Sequence, residues 1–135
     1  MEVLFGGGPF AEVRGAIKSW KPRGCKTEKD YERSLEAKLR KELKKRNIQT
    51  QYGSVRQKVD IVVDSKVAIE IKKDLNSTGD LQRTIGQLDQ YLHAWEGVFL
   101  VLCGETAPDL LKSLQQYARK TAGFLTSERV EVICK

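Results

Sequence analysis

The sequence predicts an α/β fold, an α+β arrangement in which helices flank one mixed sheet. Three short strand-like segments follow a strongly amphipathic helix, an order that is typical of an antiparallel meander. A second helix then leads into residues 98–103, a continuous apolar run that indicates a buried parallel strand. The chain has 135 residues, of which 40% are apolar, so it is long enough for one domain with its own core.

The first two helices are predicted from apolar residues that recur every three or four positions. The first covers residues 10–20 and is followed by a break at residues 21–24. Thr27 predicts the start of the second helix, with Asp30 as its capping-box partner, and Asn47 predicts its end. The apolar stripes consist of Phe10, Val13, Ile17 and Trp20 in the first helix and Tyr31, Leu35, Leu39 and Leu43 in the second.

Three strands are predicted over residues 48–52, 59–63 and 67–72, because each segment is short and rich in β-branched residues or tyrosine. Asp64 and Ser65 favour a turn between the second and third strands. That turn makes these two strands antiparallel neighbours.

Two helix–strand units are predicted for the second half of the chain. The first helix follows a loop at residues 75–80 and ends at Gly97, and the strand at residues 98–103 comes next. The second helix opens at Pro108 and continues to about residue 122. An alternating segment over residues 129–134 predicts a last strand. The order is therefore an αβββαβ core with an added C-terminal αβ unit. The inward-facing residues are Leu81, Ile85, Leu88, Leu92 and Trp95 in the first helix and Leu111, Leu114 and Ala118 in the second.

The chain is predicted to divide into an N-terminal extension, residues 1–26, and a main domain, residues 27–135. The opening residues resemble the linker of a tag-removal protease site, so they are interpreted as a possible cloning remnant. The three cysteines lack metal-site spacing, which argues against zinc or iron–sulfur binding and fits reduced thiols in the cytoplasm. No run approaches the ~20 apolar residues of a membrane span.

Positive charge is concentrated in the first part of the chain. The net charge is +6, and residues 1–60 carry 15 basic and 8 acidic residues, whereas residues 61–135 carry 9 and 10. This asymmetry predicts a polyanion partner, with nucleic acid the favoured choice. The alternative is a solvated basic helix without a partner.

Three charged residues interrupt the apolar second and third strands. Asp60 lies in one strand, and Glu70 and Lys72 share one face of the other because strand side chains alternate. Such charges are costly unless they bind something, and two carboxylates near a lysine suit a hard cation and an activated water. The alternative is an ion pair at the strand edge with Lys72 or Lys58.

These residues, their order in the chain and an upstream helical glutamate resemble the PD-(D/E)xK nuclease superfamily, also called restriction-endonuclease-like. The resemblance covers roughly residues 31–102. The segment Gln87-Leu88-Asp89-Gln90-Tyr91 is similar to the QxxxY motif of the RecB-like and lambda-exonuclease-like branches. Val59 stands where proline often precedes the aspartate, and that departure does not touch the metal ligand.

The resemblance implies a role for each matching residue. Asp60 and Glu70 would bind Mg²⁺ or Mn²⁺, with the Ile71 carbonyl as a further oxygen ligand. Lys72 would orient or help deprotonate the attacking water. The helical acid, also a candidate ligand, is Glu32 or Glu36, and Glu32 is preferred because it follows an aromatic residue.

Gln87 and Tyr91 lie one helical turn apart, and the resemblance implies that they hold DNA and the active site. The alternative is a half-buried helix face with Tyr91 packed on the sheet. His93 is expected at the surface, and Trp20 in the core rather than stacked on a base. Candidate phosphate contacts are Lys21, Arg23, Lys26, Arg56 and Lys58, with Lys41, Lys44, Lys45 and Arg46 behind them.

The sequence therefore leads to the hypothesis of a metal-dependent deoxyribonuclease. Exonuclease, junction resolvase and restriction-type endonuclease all stay open, and a homodimer or a larger nucleic-acid-processing partner is compatible with a chain of this length. The alternatives from other classes are a non-catalytic nucleic-acid-binding module on the same fold and a protein-interaction domain.

Overall fold

The computed structural model describes residues 8–54, 57–121 and 130–135 of the chain. Four helices and five strands follow one another in these ranges. They are α1 (Pro9–Ser19), α2 (Glu28–Glu42), β1 (Ile48–Ser54), β2 (Gln57–Val63), β3 (Val67–Lys73), α3 (Thr78–Ala94), β4 (Gly97–Cys103), α4 (Pro108–Thr121) and β5 (Val130–Cys134).

The five strands form one mixed sheet in the order β1-β2-β3-β4-β5. The pairs β1–β2 and β2–β3 are antiparallel, as a meander requires, and β3–β4 and β4–β5 are parallel, as helix crossovers require. The predicted mixed sheet with flanking helices is confirmed. All residues of β4 are buried and both of its neighbours are parallel to it, which confirms the prediction of a buried parallel strand.

Two hydrophobic clusters lie on opposite faces of the sheet. One contains the buried residues of α1 and α2 packed on Ile61, Ile69 and Ile71. The other contains Leu88 and Tyr91 of α3 and Leu114 of α4, packed against alternate strand residues. The alternation of strand side chains therefore places α1 and α2 on one face and α3 and α4 on the other.

The N-terminal helix α1 packs directly into the first cluster. The Phe10 ring stacks on Phe99 of β4 with ring centroids 4.4 Å apart. A Cβ atom built on Gly97 would overlap that same Phe10 ring, so the glycine makes room for the helix. Helix α1 thus belongs to the core formed by the main domain.

Helix α2 begins as predicted and ends earlier than predicted. The Thr27 hydroxyl accepts the Asp30 backbone N–H, and the Asp30 carboxylate accepts the Thr27 backbone N–H, which confirms the capping box. The helix ends at Glu42 instead of Asn47, because the segment after it is held by the β2–β3 turn. Asp64 accepts both the Asn47 backbone N–H at 2.7 Å and the Arg46 guanidinium at 2.9 Å.

The remaining boundaries lie close to the predicted ones. Helix α3 ends at Ala94, and Gly97 is the first residue of β4. The predicted ends at residues 122 and 129 lie outside the described residues, as does the possible linker remnant at residues 1–7. None of the helices in the described part of the chain has the length and apolarity needed to cross a membrane.

Candidate active site

The strands β2 and β3 separate at the position of the two predicted acids. Their regular pairing covers Ile61↔Ile69, Val62↔Ala68 and Val63↔Val67 and stops before Asp60 and Glu70. Beyond that point the Asp60 carboxylate takes over the role of a backbone acceptor, since its Oδ2 atom accepts the Ile71 N–H at 2.8 Å. The half-buried Asp60 side chain therefore lies between the two strands, next to the segment that carries Glu70 and Lys72.

The pairing between β1 and β2 is also interrupted at Asp60. Thr50 pairs with Ile61 and Tyr52 with Val59, but no pair joins Gln51 to Asp60. Gln51 has a φ of 49°, in the left-handed region that non-glycine residues rarely adopt. Its side chain reaches α2, where Nε2 donates to Glu32 Oε1 at 2.8 Å. Local backbone strain of this kind is concentrated at functional sites in proteins.

Glu70 is 4% exposed and is held by two neighbouring groups. Its Oε2 atom lies 3.1 Å from Lys72 Nζ. Its Oε1 atom accepts the Tyr91 hydroxyl at 3.2 Å, and the same hydroxyl lies 3.3 Å from the Lys58 carbonyl of β2. Tyr91 of α3 therefore links the two separated strands on one face of the sheet.

Burial makes ionisation of both strand acids costly. It raises the pKa of Asp60 to about 7, with a further upward contribution from the negative charge of Glu70. It also raises the pKa of Glu70, although Lys72 and the Tyr91 hydroxyl act in the opposite direction. Tyr91 is itself buried beside Glu70, which raises its pKa, so its hydroxyl stays protonated and donates. A cation bound between the acids would relieve this cost.

The structure distinguishes the two candidate acids of α2. Glu32 is 5% exposed and faces the sheet, with its oxygens bound to Gln51 and to Lys29 Nζ at 3.1 Å. Its charge acts on Asp60 and raises the pKa of that carboxyl. Glu36 instead forms an ion pair with Arg40 at 2.9 Å, one turn further along the helix. Glu32 is therefore the helical acid near the site.

Glu28, in the first turn of α2, is a site residue that the sequence reasoning missed. Glu28 lines a cavity together with Lys72 and Lys73, and burial of its carboxyl raises its pKa, while the charge of Lys72 acts in the opposite direction. A signal was present, since Glu28 precedes Glu32 by one helical turn and lies on the same side of α2. This cavity of ≈ 170 Å³ lies beside the start of α3 and is lined by Glu28, Lys72, Lys73, Leu75, Asp80, Arg83 and Thr84.

Gln87 and Tyr91 lie on the inner side of α3, as their spacing predicts. Tyr91 is buried against the sheet, and its hydroxyl also contacts Glu70 in the candidate site. Gln87 is half-buried, and its Oε1 atom is the buried side-chain polar atom without a hydrogen-bond partner among the described residues. A buried acceptor without a donor is costly, and a bound water or ligand would satisfy it.

The predicted phosphate contacts occupy different places. Lys21, Arg23 and Lys26 are exposed in the loop before α2, and Lys58 is exposed on β2, whereas Arg56 lies outside the described residues. Among the residues placed behind them, Lys41, Lys44 and Lys45 are exposed at the far end of α2.

The structure also gives the positions of Arg46, Trp20 and His93. Arg46 lies between Glu12, at 2.7 Å, and Asp64, at 2.9 Å, so it is a structural cation. Trp20 is 3% exposed and donates to the Ser34 hydroxyl, which confirms that it belongs to the core. His93 is exposed, as expected.

Family models, curated proteins and solved structures gave no match to the chain.

Two carboxylates and one carbonyl are available for a divalent cation. In an extended strand the N–H and C=O of one residue point to the same side, so the Ile71 carbonyl faces the side on which Asp60 accepts the Ile71 N–H. Within the described ranges no three His, Cys, Asp or Glu side chains are arranged to hold a metal ion. Glu32 as a direct ligand therefore stays a prediction, since its oxygens are already bound to Lys29 and Gln51. The residues present fit an ion that keeps several waters, as Mg²⁺ does.

Proposed function

We propose that the protein is a metal-dependent nuclease that hydrolyses DNA phosphodiester bonds on a restriction-endonuclease-like core. The observation that carries the proposal is the convergence of Asp60 and Glu70 where β2 and β3 separate, with Lys72 3.1 Å from Glu70. A surface ion pair would need one acid, whereas a buried and a half-buried acid with raised pKa values are typical of a functional site. The order of elements and the similarity to the QxxxY motif support the same proposal.

The proposed ligands of Mg²⁺ or Mn²⁺ are Asp60, Glu70 and the Ile71 carbonyl. When bound, the ion would supply a water of lowered pKa and neutralise charge on the phosphate. The protein contributes the dry environment, because Glu70 and Ile71 are almost wholly buried. Because Glu70 is buried and Asp60 is half-buried, solvent screens their attraction for a cation less than it would at an exposed site.

The surrounding side chains have positioning roles in this proposal. Lys72 places an ammonium beside Glu70 and the ≈ 170 Å³ cavity, where it can hold the attacking water or a phosphate oxygen. Tyr91 fixes the orientation of Glu70 through its hydroxyl. Glu32 and Gln51 bind each other and hold the distorted segment of β1 beside Asp60.

DNA is the proposed partner because of the net charge of +6 and the exposed basic residues of the loop before α2. A homodimer would allow two strands to be cut with two-fold symmetry. A larger nucleic-acid-processing partner remains a second possibility. The unbridged Cys25, Cys103 and Cys134 fit the proposed cytoplasmic setting.

The test is a cleavage assay on single-stranded, duplex and branched DNA with Mg²⁺, Mn²⁺ or EDTA. We expect metal-dependent cleavage by the wild-type protein and a loss of roughly 100-fold or more in Asp60→Asn, Glu70→Gln and Lys72→Ala. Lys66→Ala is the matched control for Lys72→Ala, because Lys66 is an exposed lysine in the turn before β3. Its activity should equal that of the wild type.

A second matched pair tests the helical acid. Glu32→Gln should lower activity, since Glu32 is buried near Asp60, and Glu36→Gln should not, since Glu36 pairs with Arg40, which binds the Ile48 carbonyl at the start of β1. Cleavage that survives in both Asp60→Asn and Lys72→Ala would exclude the proposed roles.

The second candidate is a non-catalytic nucleic-acid-binding module. One observation favours it: Lys72 and Tyr91 each contact one oxygen of Glu70, so this carboxylate is satisfied without a metal ion. Calorimetric titration with Mn²⁺ separates the two candidates. A nuclease should show a metal site that disappears in Asp60→Asn, whereas a binding module should bind DNA with no such site.

A further inference from the structure

Tyr52 is the exposed large hydrophobic residue of the described chain, at 39% exposure. It follows the strained Gln51 on β1 and pairs with Val59 on β2. On both strands it is therefore next to the point where Asp60 leaves the ladder. The Tyr52 ring therefore lies partly in solvent near the candidate active site.

A row of aromatic rings joins Tyr52 to the candidate active site. The ring centroids of Tyr52 and Trp95 are 6.0 Å apart with an interplanar angle of 77°, and those of Trp95 and Tyr91 are 5.7 Å apart at 82°. The Tyr91 hydroxyl then lies 3.2 Å from Glu70 Oε1. These edge contacts place the Tyr52 ring in one aromatic cluster that reaches the Glu70 carboxylate.

The contact with Trp95 leaves at least one face of the Tyr52 ring uncovered. In an edge-to-face pair, a ring presents either its edge or one of its two faces to its neighbour. The 39% exposure of Tyr52 shows that solvent reaches the residue. A partly exposed aromatic ring beside the candidate active site can stack on a flat ligand.

The charge of the chain suits a nucleic-acid strand. The net charge is +6, and Lys58 is exposed on β2, where its Cα partner on β1 is Gly53, the residue after Tyr52. Because Tyr52 itself pairs with Val59, the Tyr52 and Lys58 side chains point to opposite faces of the two strands. A stacking surface on a protein with an overall positive charge matches a nucleotide, whose base stacks while its phosphate is attracted by that charge.

We propose that Tyr52 stacks on an unpaired base of the substrate, so that the preferred ligand is single-stranded DNA or a strand with unpaired nucleotides. A base inside a continuous duplex has both faces covered by its neighbours, and only an unpaired or terminal base can offer a face to Tyr52. The inference rests on the proposed function only in treating the bound DNA as a substrate that is cleaved. Binding itself requires no cleavage.

Binding is measured by fluorescence anisotropy in EDTA, with a labelled single-stranded oligonucleotide and the duplex of the same sequence. The variants are Tyr52→Leu, which keeps an apolar side chain without a ring, and Tyr52→Phe, which keeps the ring. We expect Tyr52→Leu to weaken single-strand binding roughly tenfold and to change duplex binding less than twofold. Tyr52→Phe should bind like the wild type, and unfolding midpoints should confirm that both variants fold.

A 2-aminopurine base in the oligonucleotide reports stacking directly, because its fluorescence is quenched when it stacks. Quenching should occur with the wild type and Tyr52→Phe and be absent with Tyr52→Leu. Equal losses on both DNA forms, unchanged single-strand binding in Tyr52→Leu, or a wild type that does not bind single strands would each overturn the inference.

The outcomes separate this inference from the proposed function. Metal-dependent cleavage together with unchanged binding in Tyr52→Leu removes the stacking role alone. Loss of single-strand binding in Tyr52→Leu, without any metal-dependent cleavage by the wild type, removes the nuclease and leaves the stacking role in place.

Discussion

The Asp60 side chain accepts a hydrogen bond at the position where a backbone carbonyl of β2 would accept it in an uninterrupted ladder. The same carboxylate is the first proposed metal ligand. These two tasks make its protonation state important for both the fold and the chemistry. An acid whose pKa is raised by burial is charged at a cost, and the folded state takes up a proton more readily than the unfolded chain does.

The pH dependence of stability follows from that shift. The pKa of Asp60 is raised from 3.8 to about 7, so the folded state binds more protons between these values, and the contribution of Asp60 to stability decreases as the pH rises through this window. Asp60→Asn keeps an acceptor for the Ile71 N–H and removes the ionisable group. We expect the free energy of unfolding of this variant, relative to that of the wild type, to be higher at pH 8 than at pH 5. Urea unfolding in EDTA at the two pH values measures the difference.

Asp64→Asn is the control of opposite sign. Arg46 and the Asn47 N–H hold the pKa of Asp64 below its usual value against the effect of burial, so its stabilising contribution is present at neutral pH and is lost in acid. Asp64→Asn should therefore be less stable than the wild type at pH 8, with the difference shrinking below about pH 4. The same sign for both variants would contradict the assignment.

Tyr91→Phe tests the link between the two separated strands. Loss of the hydroxyl removes the donor to Glu70 and leaves both Glu70 and the Lys58 carbonyl with one partner fewer. We expect a stability loss of about 1 kcal/mol and weaker Mn²⁺ binding, because Glu70 is then harder to ionise and less well oriented. Calorimetry and urea unfolding measure the two effects. Mn²⁺ binding equal to that of the wild type would show that the hydroxyl only packs.

Individual site residues were predictable to the extent that local spacing determines them. Glu70 and Lys72 share a strand face, and this period of two can be read without coordinates. Gln51 was missed because its contact with Glu32 requires a left-handed backbone that no local sequence pattern indicates. The choice between Glu32 and Glu36 stayed open because only the packing of α2 on the sheet decides which helix face is inside.

Helix α2 carries both Glu28 and Glu32, so its first turn controls two acids of the site. Thr27→Ala removes one half of the capping box and should cost about 1 kcal/mol of stability. Thr78→Ala is the control, since Thr78 is exposed and the α3 cap is provided by Ser77 instead. Urea midpoints with unchanged m-values measure both. An equal effect of the two variants would show that the cap contributes nothing specific.

The contact between α1 and β4 allows a test by double-mutant cycle. Gly97→Ala would push the Phe10 ring away from Phe99, and overpacking of this kind typically costs roughly 1–3 kcal/mol. In a Phe10→Ala background the same Gly97→Ala change should cost much less, because the obstructing ring is gone. Additive losses from the two changes would show that α1 does not depend on this contact.

Helices and strands were predictable from periodicity, and one end was wrong for a tertiary reason. Asn47 predicts the end of α2 because asparagine is common just after the last turn of a helix. In the fold, Arg46 and Asn47 contact Asp64 in a turn that is distant in sequence, and these contacts stop the helix.

The molecule as a whole has basic residues at both ends of α2, separated by roughly 20 Å. The end that follows Lys21, Arg23 and Lys26 adjoins the candidate active site, because Glu28 lines the same cavity as Lys72 and Lys73 of β3. A triple change of these residues to glutamine should weaken DNA binding. It should also reduce the magnitude of the slope of log K against log[salt] by about 2–3.

The matched control is Lys41→Gln with Lys44→Gln and Lys45→Gln, which alters the net charge equally at the other end of the helix. It should leave the salt dependence close to that of the wild type. Equal losses in the two triple variants would mean that DNA responds to net charge and not to a surface near the site.

The sheet order could be derived from the chain order, since short turns give antiparallel neighbours and helix crossovers give parallel ones. The opening between β2 and β3 could not be derived in this way. It depends on one carboxylate replacing a main-chain acceptor, and a ladder with no opening would satisfy the same apolar pattern.

That replacement gives the protein a natural spectroscopic probe. The amide proton of Ile71 has a carboxylate as its acceptor, so its chemical shift will follow the ionisation of Asp60 and any occupant of the space beside it. A single cross-peak in a nitrogen–proton spectrum would thus register protonation, cation entry and exchange at the same position. No label beyond isotopic nitrogen is needed.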